Sequence, residues 1–572
     1  MVFKLIKDVV LILFMGLISF NMAEAQYFWN TDFEYGVYKE QPRKWAIEGE
    51  GESYMAFLDS TVSKMGAKSL FMELKNAETY TILGIPGAIV RGKTLSVKGH
   101  LKLKEVNSLK TKWMYFNPET GNIIASSVIE PDSKKWQKTS IEAAIPEDYS
   151  PDNLLLVLTA QGSGSFWVDN LELKIDGKVY GDDEPDFKAP TEREIQLLNE
   201  KAIPFEFGQL ELDNAILKSL SSIIKDASIV ALGENSHGSS SIYKLKLELI
   251  KYLVKEEAFS VFALEMPTVE ADYINAYVLK GEGSLSKVID KLTYPSWQTK
   301  EMIEIIEWIK AYNLQANQKV EFRGFDMQDG RAALTNIKAF AEEINDELSV
   351  RIREIENLYK ESFETGKLSN SLFEKAQHVE QSINYDNYPE FKESTIVKIN
   401  HYMNIFIQSL AYNFQIKSAK RRDEYMAENI SWILKNSGEK TRIIISGDNT
   451  HITKTGGKMG TMLSTRYKEK YISIGFTYNK GTYSAYGPKE FYEVHPSYIG
   501  TYEYYFSESN YQNFLLDLRD VAEIPILNKK NGFRSIGSRP QETTQFYEIN
   551  IKDHFDAVIY MEKSKHTQPL KK

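Results

Sequence analysis

The segment from Ser228 to Ser241 constrains the fold of this chain more than any other stretch. The apolar run from Ile229 to Leu232 ends at Gly233, and a helical pattern begins a few residues later. A second apolar run, from Phe259 to Leu264, follows that helical pattern. Continuous apolar runs that alternate with amphipathic helices are typical of parallel strands with both faces buried. The segment therefore predicts an α/β domain with a mainly parallel sheet.

The alternation of apolar runs and helical patterns continues toward the C-terminus. Six runs are candidate strands: Ile229–Leu232, Phe259–Leu264, Val320–Phe325, Arg442–Ser446, Tyr471–Phe476 and Phe555–Tyr560. Between about residues 330 and 440 the pattern is instead helical and rich in charge. We predict that this stretch is a large helical insertion between two strands. It either forms a lid or pocket wall beside the strand ends, or it is purely structural.

The N-terminal part of the chain follows a different pattern. From Leu95 to Lys104 apolar and polar residues alternate, as in a strand with one buried face. Several short runs of this kind, separated by turn residues, predict an all-β sandwich over residues 27–176. Residues 177–192 are polar and predict a linker, and residues 193–562 form the α/β domain. Five tryptophans of the sandwich are candidates for stacking on a glycan, although such residues more often fill a core: Trp29, Trp45, Trp113, Trp136 and Trp167.

Composition and the first residues bear on localisation and partners. Lys4 and Lys7 precede a short apolar run, and Ala23 and Ala25 occupy the two small-residue positions of a cleavage site. Residues 1–25 therefore predict a signal peptide and a secreted or periplasmic protein that is free of the membrane after cleavage. The formal net charge of −10, without a long basic run, argues against nucleic acid as a partner. The absence of cysteine excludes thiol catalysis and thiolate metal sites.

Polar side chains follow four of the candidate strands at the point where each ends: Glu234 and His237, Glu265, Asp326 and Gln328, and Asp448 and His451. Ligands of open parallel sheets bind at the carboxyl ends of the strands, so we expect these groups to converge in one cleft. Carboxylates and imidazoles in that arrangement suit general acid–base chemistry or metal binding.

His237 is the best candidate for a general base. It lies near the start of a predicted helix, where the helix dipole disfavours the imidazolium form, so we predict a neutral ring. A nearby carboxylate, Glu234 or Glu265, would oppose this effect and could fix the tautomer of the ring. Ser236 also lies in a strand-to-helix turn, but the surrounding residues do not form the Gly-x-Ser-x-Gly elbow of serine hydrolases.

Several motifs together resemble the erythromycin esterase family over roughly residues 195 to 562. They are Gly233-Glu-Asn-Ser-His-Gly238, Leu264-Glu265, Trp297, Gly324-Phe-Asp-Met-Gln328, Arg422-Asp423 and Asp448-Asn-Thr-His451. The resemblance implies a hydrolase of macrolide lactones that uses a histidine base on water without an obligatory metal. It implies that His237 is that base, that Glu234 and Glu265 accompany it, and that His451 belongs to the same catalytic set.

The resemblance also implies substrate-binding roles, for Trp297, Asp326, Gln328, Lys246 and Asp448. Two of these positions depart from the family pattern. Lys246 stands where antibiotic-degrading members have an arginine, and Asp448 replaces the first histidine of a His-Asn-x-His motif. Lysine keeps the charge but loses bidentate geometry. These changes could alter the substrate, which we expect to be a small ester or lactone, or restore a metal site.

Two alternatives to this metal-independent esterase remain open. The same histidines and carboxylates could hold Mn²⁺ or Zn²⁺ in a metal-dependent hydrolase. The chain could also be a secreted glycan-binding protein with an idle cleft. The segments Asn30–Glu34 and Phe166–Leu173, with Trp45 between them, resemble bacterial carbohydrate-binding jelly-roll modules.

Overall fold

A computed structural model of the chain describes residues 29–34, 37–38, 41–106, 108–118, 120–129, 134–149, 153–180, 189–206, 214–281, 283–344, 346–414, 416, 420–438, 440–540 and 545–570. The predicted signal peptide and half of the predicted linker, residues 181–188, lie outside these ranges. Within them, no helix combines the length and apolar character needed to cross a membrane.

The N-terminal domain is the expected all-β sandwich. Its strands are β1 Val37–Tyr38, β2 Gln41–Pro42, β3 Trp45–Asp59, β4 Ser69–Pro86, β5 Thr94–Val106, β6 Lys110–Phe116, β7 Ile123–Ile129, β8 Gln137–Ala144, β9 Asn153–Ile175 and β10 Lys178–Tyr180. The long strand β9 pairs with β6 through its first half and with β5 through its second half, so one hydrogen-bonded network supplies both layers. The residues between the layers are apolar, as the period-two alternation requires.

Most of the candidate sugar-stacking tryptophans belong to the sandwich interior. Trp29, Trp45, Trp113 and Trp167 are buried, and Trp136 is half-buried. The indole N–H of Trp113 donates to the hydroxyl of Thr139 at 2.9 Å, as a core tryptophan needs. The core alternative therefore accounts for four of the five residues.

The second domain contains the predicted parallel sheet. Its strands are β11 Ile203–Pro204, β12 Ile229–Leu232, β13 Val261–Pro267, β14 Glu321–Asp326, β15 Ile443–Ser446, β16 Tyr471–Tyr483, β17 Tyr492–Val494, β18 Asn513–Asp517, β19 Asn531–Arg534, β20 Phe546–Ile549 and β21 Ala557–Ser564. The order β11-β18-β21-β16-β12-β15-β13-β14 places all six predicted strands side by side and parallel. Beyond β21, β18 pairs antiparallel with β21 and β11 pairs antiparallel with β18, and the sequence had not indicated either strand.

The apolar runs are continuous because helices cover both faces of this sheet. Alternate residues of β12 enter different clusters: Val230 and Leu232 pack on one side, and Ile229 and Ala231 on the other.

The α-helices of the described residues, in both domains, are Gly87–Val90, Glu192–Lys201, Asn214–Ile224, Ser240–Lys255, Thr268–Lys280, Leu285–Ile289, Lys300–Gln315, Arg331–Ile344, Asp346–Thr365, Asn370–Ser382, Glu393–Asn413, Arg422–Asn436, Asn449–Ile452, Met459–Tyr467, Tyr502–Ser507 and Ile551–His554. Short 3-10 helices cover Pro295–Trp297, Tyr385–Asn387, Lys468–Lys470, Leu518–Asp520 and Pro525–Asn528.

The helical insertion lies where the sequence predicts it, between β14 and β15. It contributes five of the helices above, from Arg331 to Asn436, with an apolar cluster of its own. Its helix Arg422–Asn436 packs on β14 and its first residues reach the carboxyl ends of the strands. The insertion therefore forms part of the wall beside the predicted cleft.

Candidate active site

The turn after β12 positions Glu234 and His237. Gly233 is required at the start of this turn, because a Cβ there would overlap the side chain of Asn449. The peptide N–H of Asn449 donates to the carbonyl of Glu234 at 2.8 Å, and the N–H of His237 donates to the carbonyl of Gly537 at 3.2 Å. These two hydrogen bonds hold the turn in place. The helix that follows has Ser239 as its N-cap residue.

His237 and Glu234 form a hydrogen-bonded pair. Nδ1 of His237 lies 2.5 Å from Oε1 of Glu234, so Nδ1–H donates and Nε2 is the ring nitrogen directed away from the carboxylate. The indole ring of Trp297 contacts the imidazole edge-on, with ring centroids 5.7 Å apart. The carboxylate therefore fixes both the tautomer and the orientation of the ring, as a base requires.

Lys246 binds the carboxylate of the same pair, Glu234. Its Nζ donates to Oε2 of Glu234 at 2.6 Å and to the hydroxyl of Ser446 at 2.9 Å, and the side chains of Lys246 and Glu234 are both fully buried. The prediction that Lys246 binds substrate is therefore corrected: the ammonium contacts Glu234 and does not reach the cleft. Burial alone would raise the pKa of Glu234, but Lys246 and His237 hold it below its usual value.

The ionisation of His237 also differs from the sequence-based expectation. Burial lowers the pKa of the imidazole, but the hydrogen bond and charge of Glu234 outweigh it, and Glu265 and Asp448 act in the same direction. Together these interactions raise the pKa of His237 to about 9, so the imidazolium form is stabilised. The prediction of a dipole-neutralised ring was wrong, because a carboxylate in contact exceeds the effect of a helix terminus.

Arg422 joins the ends of two other strands. Its Nη2 donates to Oε1 of Glu265 at 2.8 Å and to Oδ2 of Asp326 at 2.9 Å. Burial works against ionisation of Glu265, but His451, Arg422 and His237 together lower its pKa to about 2. Asp326, for which a substrate-binding role was predicted, accepts hydrogen bonds from Arg422 and holds it in place.

His451 completes this second group. Its Nδ1 lies 2.8 Å from Oδ1 of Asp423, while its Nε2 lies 3.0 Å from Nη1 of Arg422 and 3.4 Å from Oε1 of Glu265. Burial opposes protonation, but Asp423 and Glu265 outweigh it and raise the pKa of His451. A second histidine–carboxylate pair therefore lies against Arg422.

Asp448 links the end of β15 to Glu265. Its peptide N–H donates to Oε2 of Glu265 at 2.8 Å, and its Oδ1 accepts from the N–H of Thr450 at 2.9 Å. Burial raises the pKa of its carboxyl, although His237 and His451 oppose that shift. The replacement of histidine by Asp448 thus leaves a buried acid facing both imidazoles.

The structure brings most of the predicted residues together. Glu234, His237, Glu265, Asp448 and His451 lie at adjacent strand ends and interact electrostatically. Gln328 lies further out, where its Nε2 donates to the hydroxyl of Tyr412 at 2.9 Å. Ser236 is buried and its hydroxyl accepts from the N–H of Gly238 at 3.1 Å, so it stabilises the turn.

Arg422 and Asp423 had been noted only as family-like residues, without a role. The signal available in the sequence was an arginine–aspartate pair at the start of an amphipathic helix. Nothing local indicates that this arginine pairs with a carboxylate 157 residues away.

A metal would have to compete with these cations. Arg422 and Lys246 already neutralise Glu265, Asp326 and Glu234. Among the described residues, no three His, Asp or Glu side chains are placed to share a metal ion.

Comparison with known proteins agrees with this architecture. The family model for erythromycin esterase matches residues 254–564, so it begins after the turn with Glu234 and His237. The curated erythromycin esterase type II of Escherichia coli is 25% identical over 422 residues, which cover 64% of this chain and 97% of that protein. Among solved structures, a mutant of the erythromycin esterase EreC in its open conformation matches with a TM-score of 0.50 and 17% identity, over 64% of this chain and 98% of its own.

Solved carbohydrate-binding modules also appear among the structural matches to this chain. One example is a xylan-binding domain from Paenibacillus barcinonensis, with a TM-score of 0.22 and 15% identity over 27% of this chain and 99% of that domain. A similarity this low says nothing about a ligand. For the second domain, the family match spans more than half of the chain and agrees with the fold, so the chain belongs to the erythromycin esterase family and is a hydrolase of that family.

Proposed function

We propose that this chain hydrolyses a carboxylic ester or lactone by activating water with His237. The observation that carries the proposal is the pair of His237 with the buried Glu234, at the edge of the sheet where ligands of such folds bind. General-base assistance by a positioned imidazole contributes about 10²–10⁴-fold to a rate.

The steps follow from the groups present. Nε2 of neutral His237 takes a proton from water while Nδ1–H donates to Glu234. The hydroxide attacks the carbonyl carbon, and the carbonyl electrons move to oxygen as a tetrahedral oxyanion. Arg422 supplies positive charge at these strand ends, where its Nη1 lies 3.0 Å from Nε2 of His451. The oxyanion then collapses, the C–O bond breaks, and the proton on His237 passes to the departing alkoxide oxygen.

A substrate screen tests this proposal. We expect turnover of at least one class among macrolides, other lactones and open-chain esters, measured by product formation with the full chain. Glycan binding that maps to the sandwich, with every ester and lactone left intact, would support the idle-cleft alternative instead.

The metal-independent mechanism is part of the proposal. We expect exhaustive chelation to leave turnover unchanged, because Arg422 and Lys246 already neutralise the carboxylates that a metal would use. Complete loss of activity, with recovery on adding only Mn²⁺ or only Zn²⁺, would establish the metal-dependent alternative.

The pKa of His237 predicts the pH profile. The ring acts as a base only when neutral, and its pKa is raised to about 9. We therefore expect kcat/KM to rise about tenfold per pH unit below that value and to level off above it. The Glu234→Gln variant removes the carboxylate that raises the pKa of His237. Its kcat/KM should be lower than that of the wild type and should level off at a lower pH. A wild-type plateau that begins near the ordinary histidine pKa of about 6.5 would contradict the pairing.

We also propose that the protein is exported from the cytoplasm. The charged and apolar pattern of residues 1–25 is that of a cleaved signal peptide, and the proposed substrate would then be met outside the cytoplasm. N-terminal sequencing of the mature protein from its native host tests this directly, since cleavage before Gln26 is expected.

A further inference from the structure

A pocket of about 540 Å³ lies beside the catalytic groups, between the end of β14 and the helical insertion. Its lining includes Tyr294, Gln328, Asn413 and, from the insertion helix Asp346–Thr365, Tyr359 and Phe363. Its volume is that of a site for a small-molecule group. None of the reacting groups described above lines it, so it is separate from the catalytic centre.

Two chain segments connect this pocket to the centre. Asp326 binds Arg422, and Gln328, two residues later, lines the pocket. Trp297 contacts His237, and Tyr294, three residues earlier, lines the pocket. Because three residues span at most about 10 Å, the backbone positions that carry Tyr294 and Trp297 are no further apart than that.

The charges of the pocket are already neutralised by protein groups. Arg331 is paired with Asp329, and Lys360 is paired with Glu356 at 3.0 Å. Of the lining side chains, only Glu364 then contributes an anion, at the solvent side of the helix. The pocket therefore suits a neutral group better than an ammonium or a carboxylate.

The amide groups of the pocket are also engaged. Nε2 of Gln328 donates to the hydroxyl of Tyr412 at 2.9 Å, and Nδ2 of Asn413 donates to the carbonyls of Gln328 and Ser409. The aromatic part of the lining is Tyr294, Tyr359 and Phe363. The rings of Tyr359 and Phe363 have centroids 4.8 Å apart in an edge-to-face arrangement, and Phe363 is about half exposed.

We propose that this pocket binds an aryl group of the ester substrate and so sets the substrate preference of the enzyme. The inference rests on the proposed esterase activity for its function, but the binding itself does not. Edge-to-face contacts with Tyr359 and Phe363 hold the ring, and the ester bond extends past Trp297 to His237. Each such aromatic contact is worth roughly a few-fold in affinity beyond simple burial.

Two pairs of substrates that differ only in the ring test the proposal. Ethyl 3-phenylpropanoate and ethyl 3-cyclohexylpropanoate place the ring on the acyl side, whereas 2-phenylethyl and 2-cyclohexylethyl acetate place it on the alcohol side. In at least one pair we expect kcat/KM to favour the phenyl ester by about tenfold. The preference should fall toward unity in Tyr359→Leu and Phe363→Leu, which keep an apolar side chain without the ring.

The exposed Tyr385 of the insertion does not line the pocket, so Tyr385→Leu is the matched control and should keep the preference. Equal rates within both pairs, or a phenyl preference that survives in both pocket variants, would overturn the proposal.

A binding measurement separates this inference from the proposed reaction. Calorimetry with 3-phenylpropan-1-ol and the full chain should give binding that Tyr359→Leu and Phe363→Leu weaken by about fivefold. If no ester is hydrolysed but this binding pattern holds, the esterase proposal fails and the pocket assignment stands. Equal affinity for 3-cyclohexylpropan-1-ol, or tighter binding of methyl glucoside, would refute the aryl assignment.

Discussion

Replacing His237 by alanine is expected to reduce kcat/KM by about 10³-fold or more while the protein stays folded. Glu234 does not take the place of the imidazole, because it is fully buried and paired with Lys246. The positive charge of Arg422 would still polarise the carbonyl, so a residual rate above the uncatalysed one is expected. Turnover of the best substrate from the screen, with thermal unfolding measured in parallel, gives the result.

A matched control is available on the same domain. His495 is exposed, so His495→Ala should leave both the rate and the melting temperature unchanged. Unchanged turnover in His237→Ala would remove the proposed base. If His237→Ala loses activity and its melting temperature also collapses, the measurement is repeated with His237→Asn. Asparagine keeps a hydrogen-bond donor toward Glu234.

Replacing Lys246 by methionine is expected to have the largest effect on stability. The variant keeps roughly the volume of the side chain but removes the cation paired with the buried Glu234, which keeps its contacts with His237 and the Tyr243 hydroxyl. Breaking a buried ion pair from one side costs about 3–5 kcal/mol, because the remaining charge is no longer compensated. Urea unfolding of the full chain measures this cost.

The same variant has a second readout that a purely structural lysine would not change. With Lys246 gone, Glu234 is neutralised only by His237, so the pKa of the imidazole should rise and the pH profile should move to higher pH. Lys246→Arg keeps the positive charge and should retain most of the stability. A melting temperature and pH profile identical to wild type in Lys246→Met would show that this pair carries neither role.

The fold was largely readable from local patterns. A strand buried on both faces has to be apolar at every position, as β12 is from Ile229 to Leu232, and six such runs were enough to predict six parallel strands. The two strands beyond β21, β18 and β11, were missed. Strand β18 carries Asn513 and Asp517 at its ends, and the two residues of β11 include a proline. Short edge strands lack a continuous apolar pattern.

Some contacts of the site could likewise be predicted from the sequence, and others could not. Glu234 and His237 are three residues apart in one turn, so their proximity follows from the local chain, and their place at a strand end follows from the apolar run before them. Lys246 is on the next helix, and the sequence could not tell whether its ammonium faces the cleft or the interior. Its true contact, with Glu234, depends on how that helix rotates against the sheet.

The sequence by itself therefore determined the parallel sheet, the helical insertion and the set of polar groups at the strand ends, because these follow from residues within a few positions of one another. Only the tertiary structure decided which charges meet. Arg422 reaches Glu265 and Asp326 across 157 and 96 residues, and His237 becomes easier to protonate although it lies at a helix start. The physical reason is that buried charges interact through a poorly screening interior, so distance in space rather than along the chain sets both their pairing and their pKa values.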